Sequence, residues 1–161
     1  MESRERVGDC EADIIISQGK QTAIVTLVER KSVLILIKKI EDGTAETVRK
    51  AIIDLLYSFM GQTHIIPCDN GKEFTEHIVI AEALQAKVYF ARSQAAWERG
   101  SNENANELIR QYLPKGMNFS SLSDQDIEKV ILRLNHHPRK CLVFSSPNIV
   151  FFHHIAVALR T

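Results

Sequence analysis

The sequence predicts an α/β protein with a mixed five-stranded sheet and helices on both faces. Runs of β-branched residues fill most of the first forty positions, which is typical of strands. Farther along, short apolar runs alternate with segments whose apolar residues recur every three or four positions, as on one face of a helix. The predicted order is therefore βββαβαβααα, with the first strand central in the sheet.

The first three strands are predicted at residues 12–17, 22–29 and 33–40. The connections between them are short, and the first contains Gly19, so the three runs should form an antiparallel meander. Thr44 is placed to cap the first helix, which should end near Gly61. Its apolar face is formed by Val48, Ala51, Ile52, Leu55, Leu56 and Phe59.

A short buried strand is predicted at 64–68, and it delivers Asp69 into an Asn70-Gly71 turn. A second helix and a last strand at 87–90 follow, and an irregular loop should begin at Ala91. The predicted helix carries Phe74, Ile78, Ala81 and Leu84 on one face.

The last third of the chain reads as three helices. Ser101 is a candidate N-cap for the first, which Pro114 should end, and its apolar stripe comprises Ala105, Leu108, Ile109 and Tyr112. Ser123 and Asp126 have the spacing of a capping box for the second. Ser146-Pro147 should begin the third, because proline suits the first helical position.

Composition is that of a single globular domain covering 1–161, with 45% apolar and 25% charged residues. Net charge is zero, from 20 basic and 20 acidic residues, which weighs mildly against a protein that mainly grips a phosphate backbone. The three cysteines are widely spaced, so they indicate neither a disulfide framework nor a zinc site and suit a reducing cytosol. No apolar stretch approaches the length of a membrane span, and no membrane partner is expected.

Three carboxylates stand out by their positions. Asp13 lies in the first strand, Asp69 ends the fourth, and Glu103 opens a helix. In the predicted layout Asp13 and Asp69 can lie side by side, and Glu103 can reach them from the helix. Like charges in one site repel, so such a cluster stays ionised only when divalent cations neutralise it. Phosphoryl transfer with two Mg²⁺ ions uses this arrangement.

Several blocks in this order resemble the DDE transposases of bacterial insertion sequences, most closely the insertion-sequence-thirty type. The blocks are Glu11-Ala12-Asp13, Thr26-Leu27-Val28-Glu29-Arg30, Asp69-Asn70-Gly71-Lys72-Glu73-Phe74, Trp97-Glu98-Arg99-Gly100-Ser101-Asn102-Glu103-Asn104, Ile109-Arg110-Gln111-Tyr112-Leu113-Pro114-Lys115-Gly116, and Leu134-Asn135 with Pro138-Arg139-Lys140. The resemblance covers roughly residues 8 to 152. The 33 residues between Asp69 and Glu103 suit the catalytic core of that family.

The resemblance implies a ribonuclease H-like fold with metal-dependent DNA cleavage and strand transfer. Asp13, Asp69 and Glu103 would be both the catalytic and the metal-binding residues, holding two Mg²⁺ or Mn²⁺ ions per active site. Implied partners are DNA, as element ends and target, and further copies of the chain in a homo-oligomer. The implied location is the bacterial cytoplasm, at the nucleoid.

Other residues receive secondary roles. Basic residues in the segments flanking Glu103 are candidate DNA contacts, namely Arg92, Arg99, Arg110 and Lys115. Trp97, Asn102 and Asn104 are expected to support the site, whereas Glu11 and Glu73 are interpreted as surface charges.

Departures from the family pattern affect loops and DNA contacts rather than the three acids. Cys10 and Ala12 replace a usual Trp and Gly, and His137 replaces an Arg. The amino-terminal helix-turn-helix region of the family is missing, which indicates an excised domain or a truncated gene.

Two alternatives stay open at this point. One is a truncated remnant that only binds DNA or oligomerises. The other is a ribonuclease H-type nuclease acting on RNA–DNA hybrids, which would share the metal chemistry.

Overall fold

Five strands and five α-helices are found in the computed structural model, which describes residues 6–19, 21–91 and 100–158. The strands are β1 Cys10–Ile16, β2 Ala23–Glu29, β3 Ile35–Ile40, β4 Ile65–Cys68 and β5 Lys87–Phe90. The helices are α1 Ala45–Leu56, α2 His77–Leu84, α3 Gly100–Tyr112, α4 Asp124–His136 and α5 Pro147–Ala158. The predicted order of elements is confirmed.

Helix ends follow local capping chemistry. Thr44 caps α1 by accepting a hydrogen bond from the amide of Thr47, and a short 3₁₀ turn continues the chain to Phe59. Ser123 and Asp126 form the predicted capping box of α4, each side chain bonding the other residue's amide. The N-cap prediction for Ser101 was wrong, because α3 begins at Gly100 and includes Ser101.

The strands β1, β2 and β3 form the predicted antiparallel meander, in which Asp13 lies opposite Thr26. Strands β4 and β5 pair in parallel. The five strands were predicted to form one sheet, but their hydrogen bonding divides into a three-stranded and a two-stranded sheet. One parallel bridge, between Asp9 and Ile65, joins the two.

Pro67 explains why the hydrogen-bond ladder between β1 and β4 stops after a single bridge. The amide of Lys87, at the start of β5, bonds to the carbonyl of His64, and the amide of Ala91, directly after β5, bonds to that of Cys68. Residues 65 and 67 therefore direct their main-chain groups away from β5 and towards β1. Pro67 is one of these residues and has no N–H to donate. The two sheets therefore lie side by side with a single bridge between them.

Helices cover both faces of the strands. Apolar side chains of α1 and α2 pack on one face, against Cys10, Ala12, Ile66 and Cys68 among others. Those of α3 and α4 pack on the other face, which Ile15 shares. This two-faced α/β arrangement is the predicted fold class.

Asn135 anchors α4 to the outer edge of the meander. Glu29 and Leu34 are linked by a ladder hydrogen bond, so the next residue of β3, Ile35, directs its N–H and C=O away from β2. Asn135 is 3% exposed and bonds both groups, with Ile35 N to Oδ1 at 2.9 Å and Nδ2 to Ile35 O at 2.7 Å. One amide side chain thus satisfies a residue at the edge of the sheet.

Two of the three cysteines are buried beneath α1 and α2. Burial raises the pKa of the Cys10 thiol, with a further contribution from the nearby Glu29 carboxylate. Burial likewise raises the pKa of Cys68 to about 12. Cys141 is exposed, so the three thiols differ in accessibility and in thiolate character.

Candidate active site

Asp13 lies on β1, and Asp69 directly follows β4, the strand that a bridge joins to β1. The bridge pairs Asp9 with Ile65 in parallel, and Asp13 and Asp69 each lie four residues beyond these partners. Because side chains alternate along a strand, Asp13 projects to the face opposite Cys10 and Ala12, and Asp69 follows Cys68, which packs on the same face as those two residues. The face to which Asp13 projects is the one covered by α3, since Ile15 packs with the apolar residues of that helix and the intervening Ile14 packs on the opposite face.

Donors on β1 and on α3 hold the carboxylate of Asp13. The amide of Ile14 donates to Oδ1 at 2.9 Å, and the side chain of Asn106 donates from Nδ2 to Oδ2 at 2.8 Å. Asp13 is half-buried, so these bonds fix a group that solvent still reaches. Asn106 was not among the predicted site residues, although it lies three positions after Glu103 and thus on the same side of the helix.

Asp69 follows directly after β4 and is half-buried. Its Oδ1 accepts a hydrogen bond from the amide of Asn70 at 2.7 Å, which is the geometry of a turn-forming aspartate. Glu103 lies in the first turn of α3 and is exposed. Acidic residues are favoured there, at the positive end of the helix dipole.

Within 6–19, 21–91 and 100–158, no three His, Cys, Asp or Glu side chains are grouped closely enough to hold a metal ion. The structure therefore places Asp13 on β1, Asp69 directly after the bridged strand β4, and Glu103 on the helix that covers the face of Asp13, without closing them into a ligand cluster. Their joint metal site stays a prediction. As a donor set, however, three carboxylates fit Mg²⁺ or Mn²⁺, which bind oxygen ligands.

The predicted supporting residues have different surroundings. Asn102 is buried, whereas Asn104 is exposed on α3. Arg110 is half-buried and donates from Nη1 to the carbonyl of Leu113 at 3.5 Å, and Lys115 is exposed. The predictions for Arg92, Trp97 and Arg99 lie outside the described residues.

The interpretation of Glu11 as a surface charge was wrong. This residue is 1% exposed, because it lies on β1 beneath the amino-terminal end of α3. Its Oε1 is 3.2 Å from Arg30 Nε, and its Oε2 accepts a hydrogen bond from the amide of Asn102 at 2.9 Å. Glu73 is half-buried.

None of the helices in the described ranges is both long and apolar enough to cross a membrane. No protein-family model matches the chain.

Sequence comparison finds transposases. The chain is 41% identical over 151 residues to the transposase for insertion sequence element IS4351 of Bacteroides fragilis. It is 32% identical over 158 residues to transposase InsI for insertion sequence element IS30A of Escherichia coli. These alignments cover 94% and 98% of the chain but only 46% and 41% of the relatives, so the chain spans less than half the length of these curated relatives.

Structure comparison finds retroviral integrases. The catalytic core domain of BIV integrase matches with a TM-score of 0.76 at 18% identity, covering 94% of this chain and 98% of that domain. A chain of the simian T-cell lymphotropic virus intasome, in complex with PP2A regulatory subunit B56 gamma, matches with a TM-score of 0.72 at 14% identity, covering 91% of this chain and 55% of that one. The ribonuclease H-like fold implied by the resemblance is confirmed, and so is the similarity to insertion-sequence transposases.

Proposed function

Because the chain is similar over nearly its whole length to insertion-sequence transposases and has the fold of an integrase catalytic core, we propose that it is the catalytic core of a transposase. Its reaction would be cleavage of a DNA strand at an element end, followed by transfer of that end to target DNA. It would act on DNA at the nucleoid of a bacterial cell, in a complex with further copies of itself.

One observation carries the proposal beyond similarity. Asp13 lies on β1, Asp69 directly follows β4, the strand bridged to β1, and Glu103 lies on the helix that covers the face to which Asp13 projects. In this proposal the three acids hold two divalent cations, Mg²⁺ or Mn²⁺. Such ions, when bound, activate an attacking oxygen and stabilise a leaving oxygen.

Hydrogen bonds from neighbouring residues hold the Asp13 carboxylate in place for this role. The bonds from Ile14 and Asn106 to Asp13 orient its carboxylate before any ligand arrives. Ligand carboxylates in metal sites are commonly oriented by such outer hydrogen bonds.

The exposed Lys115, together with Arg92, Arg99 and Arg110, would contact DNA phosphates.

Metal binding can be tested separately from catalysis. Mg²⁺ should raise the Tm of the parent protein, because it binds the folded state and removes repulsion among the acids. At a concentration a hundredfold above Kd the gain is about 2.7 kcal/mol, or roughly 5–11 °C for a domain of this size. Asp69→Asn should be as stable as the parent without metal but lack this gain.

Asp54→Asn is the matched control. Asp54 pairs with Lys38 and lies on α1, across the sheet from the acids. This variant should respond to Mg²⁺ as the parent does. An equal response in all three proteins would contradict a metal site at Asp69.

Cleavage assays with Mn²⁺ then identify the substrate. Duplexes carrying the element ends should be nicked and joined to target DNA by the parent and by Asp54→Asn, but not by Asp69→Asn. Cleavage of RNA–DNA hybrids alone would instead favour a ribonuclease H-type hydrolase. A folded protein that binds metal but cleaves neither substrate would indicate a non-catalytic remnant.

A further inference from the structure

The buried Glu11 carboxylate connects β1 with the first turn of α3. A buried charge is costly unless it is paired and hydrogen-bonded. Glu11 meets both conditions through the ion pair with Arg30, at 3.2 Å, and the hydrogen bond from Asn102 N, at 2.9 Å. The side chain of Arg30 is itself only 13% exposed, so both charges are withdrawn from solvent.

The Asn102 amide is one that its own helix does not use. The first four N–H groups of an α-helix have no acceptor within the helix, and α3 begins at Gly100. Helices α1 and α4 supply a capping side chain from the residue before the helix. For α3 the acceptor for the Asn102 amide is Glu11 of β1, and the negative charge of this carboxylate lies at the positive end of the helix dipole.

A second bond between β1 and α3 follows one turn later, and its donor is the side chain of Asn106. Glu11 bonds Asn102, and Asp13 bonds Asn106. Two residues of strand span about 6.6–6.8 Å, and four residues of helix span about 6 Å. The two bonds therefore match in spacing, and α3 runs along β1 in the same chain direction.

Glu103 lies between these two bonds, directly after Asn102. We propose that Glu11, supported by Arg30, is a positioning residue that fixes the amino-terminal turn of α3 on β1 and thereby sets where Glu103 stands relative to Asp13 and Asp69. This inference rests on the proposed function for its consequence in catalysis. Glu11 itself is assigned no contact with metal or DNA.

Three variants test the inference. Glu11→Ala removes both the ion pair and the acceptor for Asn102 N. Glu11→Gln keeps an acceptor oxygen and loses the charge, so it should fold where Ala does not. Asn135→Ala is the matched control, since it cuts the corresponding attachment of α4 to β3.

Two measurements are made on each variant. Loss of a residue that bonds and orients a metal ligand weakens metal binding by about 10- to 100-fold. Glu11 bonds the amide next to Glu103 rather than a ligand itself, so titration with Mn²⁺ should give an affinity lower by up to about tenfold in Glu11→Ala, with a smaller loss in Glu11→Gln. In DNA cleavage kcat should fall while KM for DNA stays near that of the parent. Asn135→Ala should keep parental affinity and kcat below its melting temperature, although it is less stable.

Amide hydrogen exchange tests the attachment without reference to activity. The amides of Asn102 and Glu103 should exchange faster in Glu11→Ala than in the parent, and at the parental rate in Asn135→Ala. Parental Mn²⁺ affinity or parental exchange at these amides in Glu11→Ala would overturn the inference. A parent that binds no Mn²⁺ would instead refute the proposed function, and exchange would still report on the attachment.

Discussion

Replacing Asn135 by alanine should be among the most destabilising single substitutions in this fold. The parent side chain bonds both backbone groups of Ile35 in a site that is 3% exposed. Alanine leaves the N–H and the C=O of Ile35 without that partner. A buried polar group left unpaired costs about 1–3 kcal/mol, so the two together should lower the free energy of unfolding by about 3 kcal/mol or more.

Urea denaturation followed by circular dichroism measures this loss, since a lower midpoint at unchanged slope reports stability alone. The corresponding fall in Tm is roughly 6–12 °C. Asn135→Asp should be at least as destabilising as Asn135→Ala, because one carboxylate oxygen would then face the carbonyl of Ile35.

Asn148→Ala provides the control, at a contact between α5 and α4. Asn148 contacts His136 at 3.2 Å in an exposed setting, and its loss should stay within about 0.5 kcal/mol. Equal stabilities for Asn135→Ala and Asn148→Ala would refute the reasoning, because the edge of β3 would then need no partner from α4.

Three further predictions concern other parts of the chain. In the folded protein a thiol reagent at neutral pH should modify Cys141 rapidly and the two buried cysteines only after unfolding; three equally fast thiols would contradict the burial described above. Ser123→Ala should cost about 1 kcal/mol in urea denaturation at neutral pH. Hydrogen bonds from the amide and, second, the hydroxyl of Ser123 lower the pKa of Asp126, and Ser123→Ala removes only the hydroxyl. The part of the loss that comes from the hydroxyl bond to the carboxylate should be present above the usual aspartate pKa and disappear as the pH falls through the lowered pKa, whereas the part from the bond that Ser123 Oγ accepts from Asp126 N should not change with pH. A loss that does not shrink at all would show that the hydroxyl bond to the carboxylate contributes nothing. Binding to labelled DNA duplexes should be weak and independent of sequence, and the salt dependence of the binding constant should correspond to about three or four released counterions. Arg99→Ala combined with Lys115→Ala should make the binding constant less dependent on salt. Tight binding to one sequence at high salt would show that this domain recognises bases by itself.

The sequence was sufficient where the signal is local. Period-two and helical patterns located the ten elements, because each pattern depends only on which face of its own element is buried. The capping box at Ser123 is likewise encoded within four residues. The adjacency of β1 and β4, the strand that carries Asp13 and the strand that precedes Asp69, could be predicted because strand order follows from a few topological rules.

What the sequence could not supply depends on partners distant in the chain. Glutamate is usually exposed, and only the contacts of Glu11 with Arg30 and with the amide of Asn102 show why this one can be buried. Asn106 is one of three asparagines in five residues of α3, and its bond to Asp13 depends on how the helix lies on the strand. A reading based on the spacing from Glu103 could have selected it.

The single bridge between the two sheets has a mechanical consequence. In a continuous ladder, the separation of residues on adjacent strands is fixed at about 4.8 Å by main-chain hydrogen bonds. Asp13 and Asp69 lie beyond the last such bond, because Pro67 interrupts the register between them. Main-chain hydrogen bonds therefore do not fix the distance between these two acids. A ligand that draws them together breaks no ladder hydrogen bond between their strands.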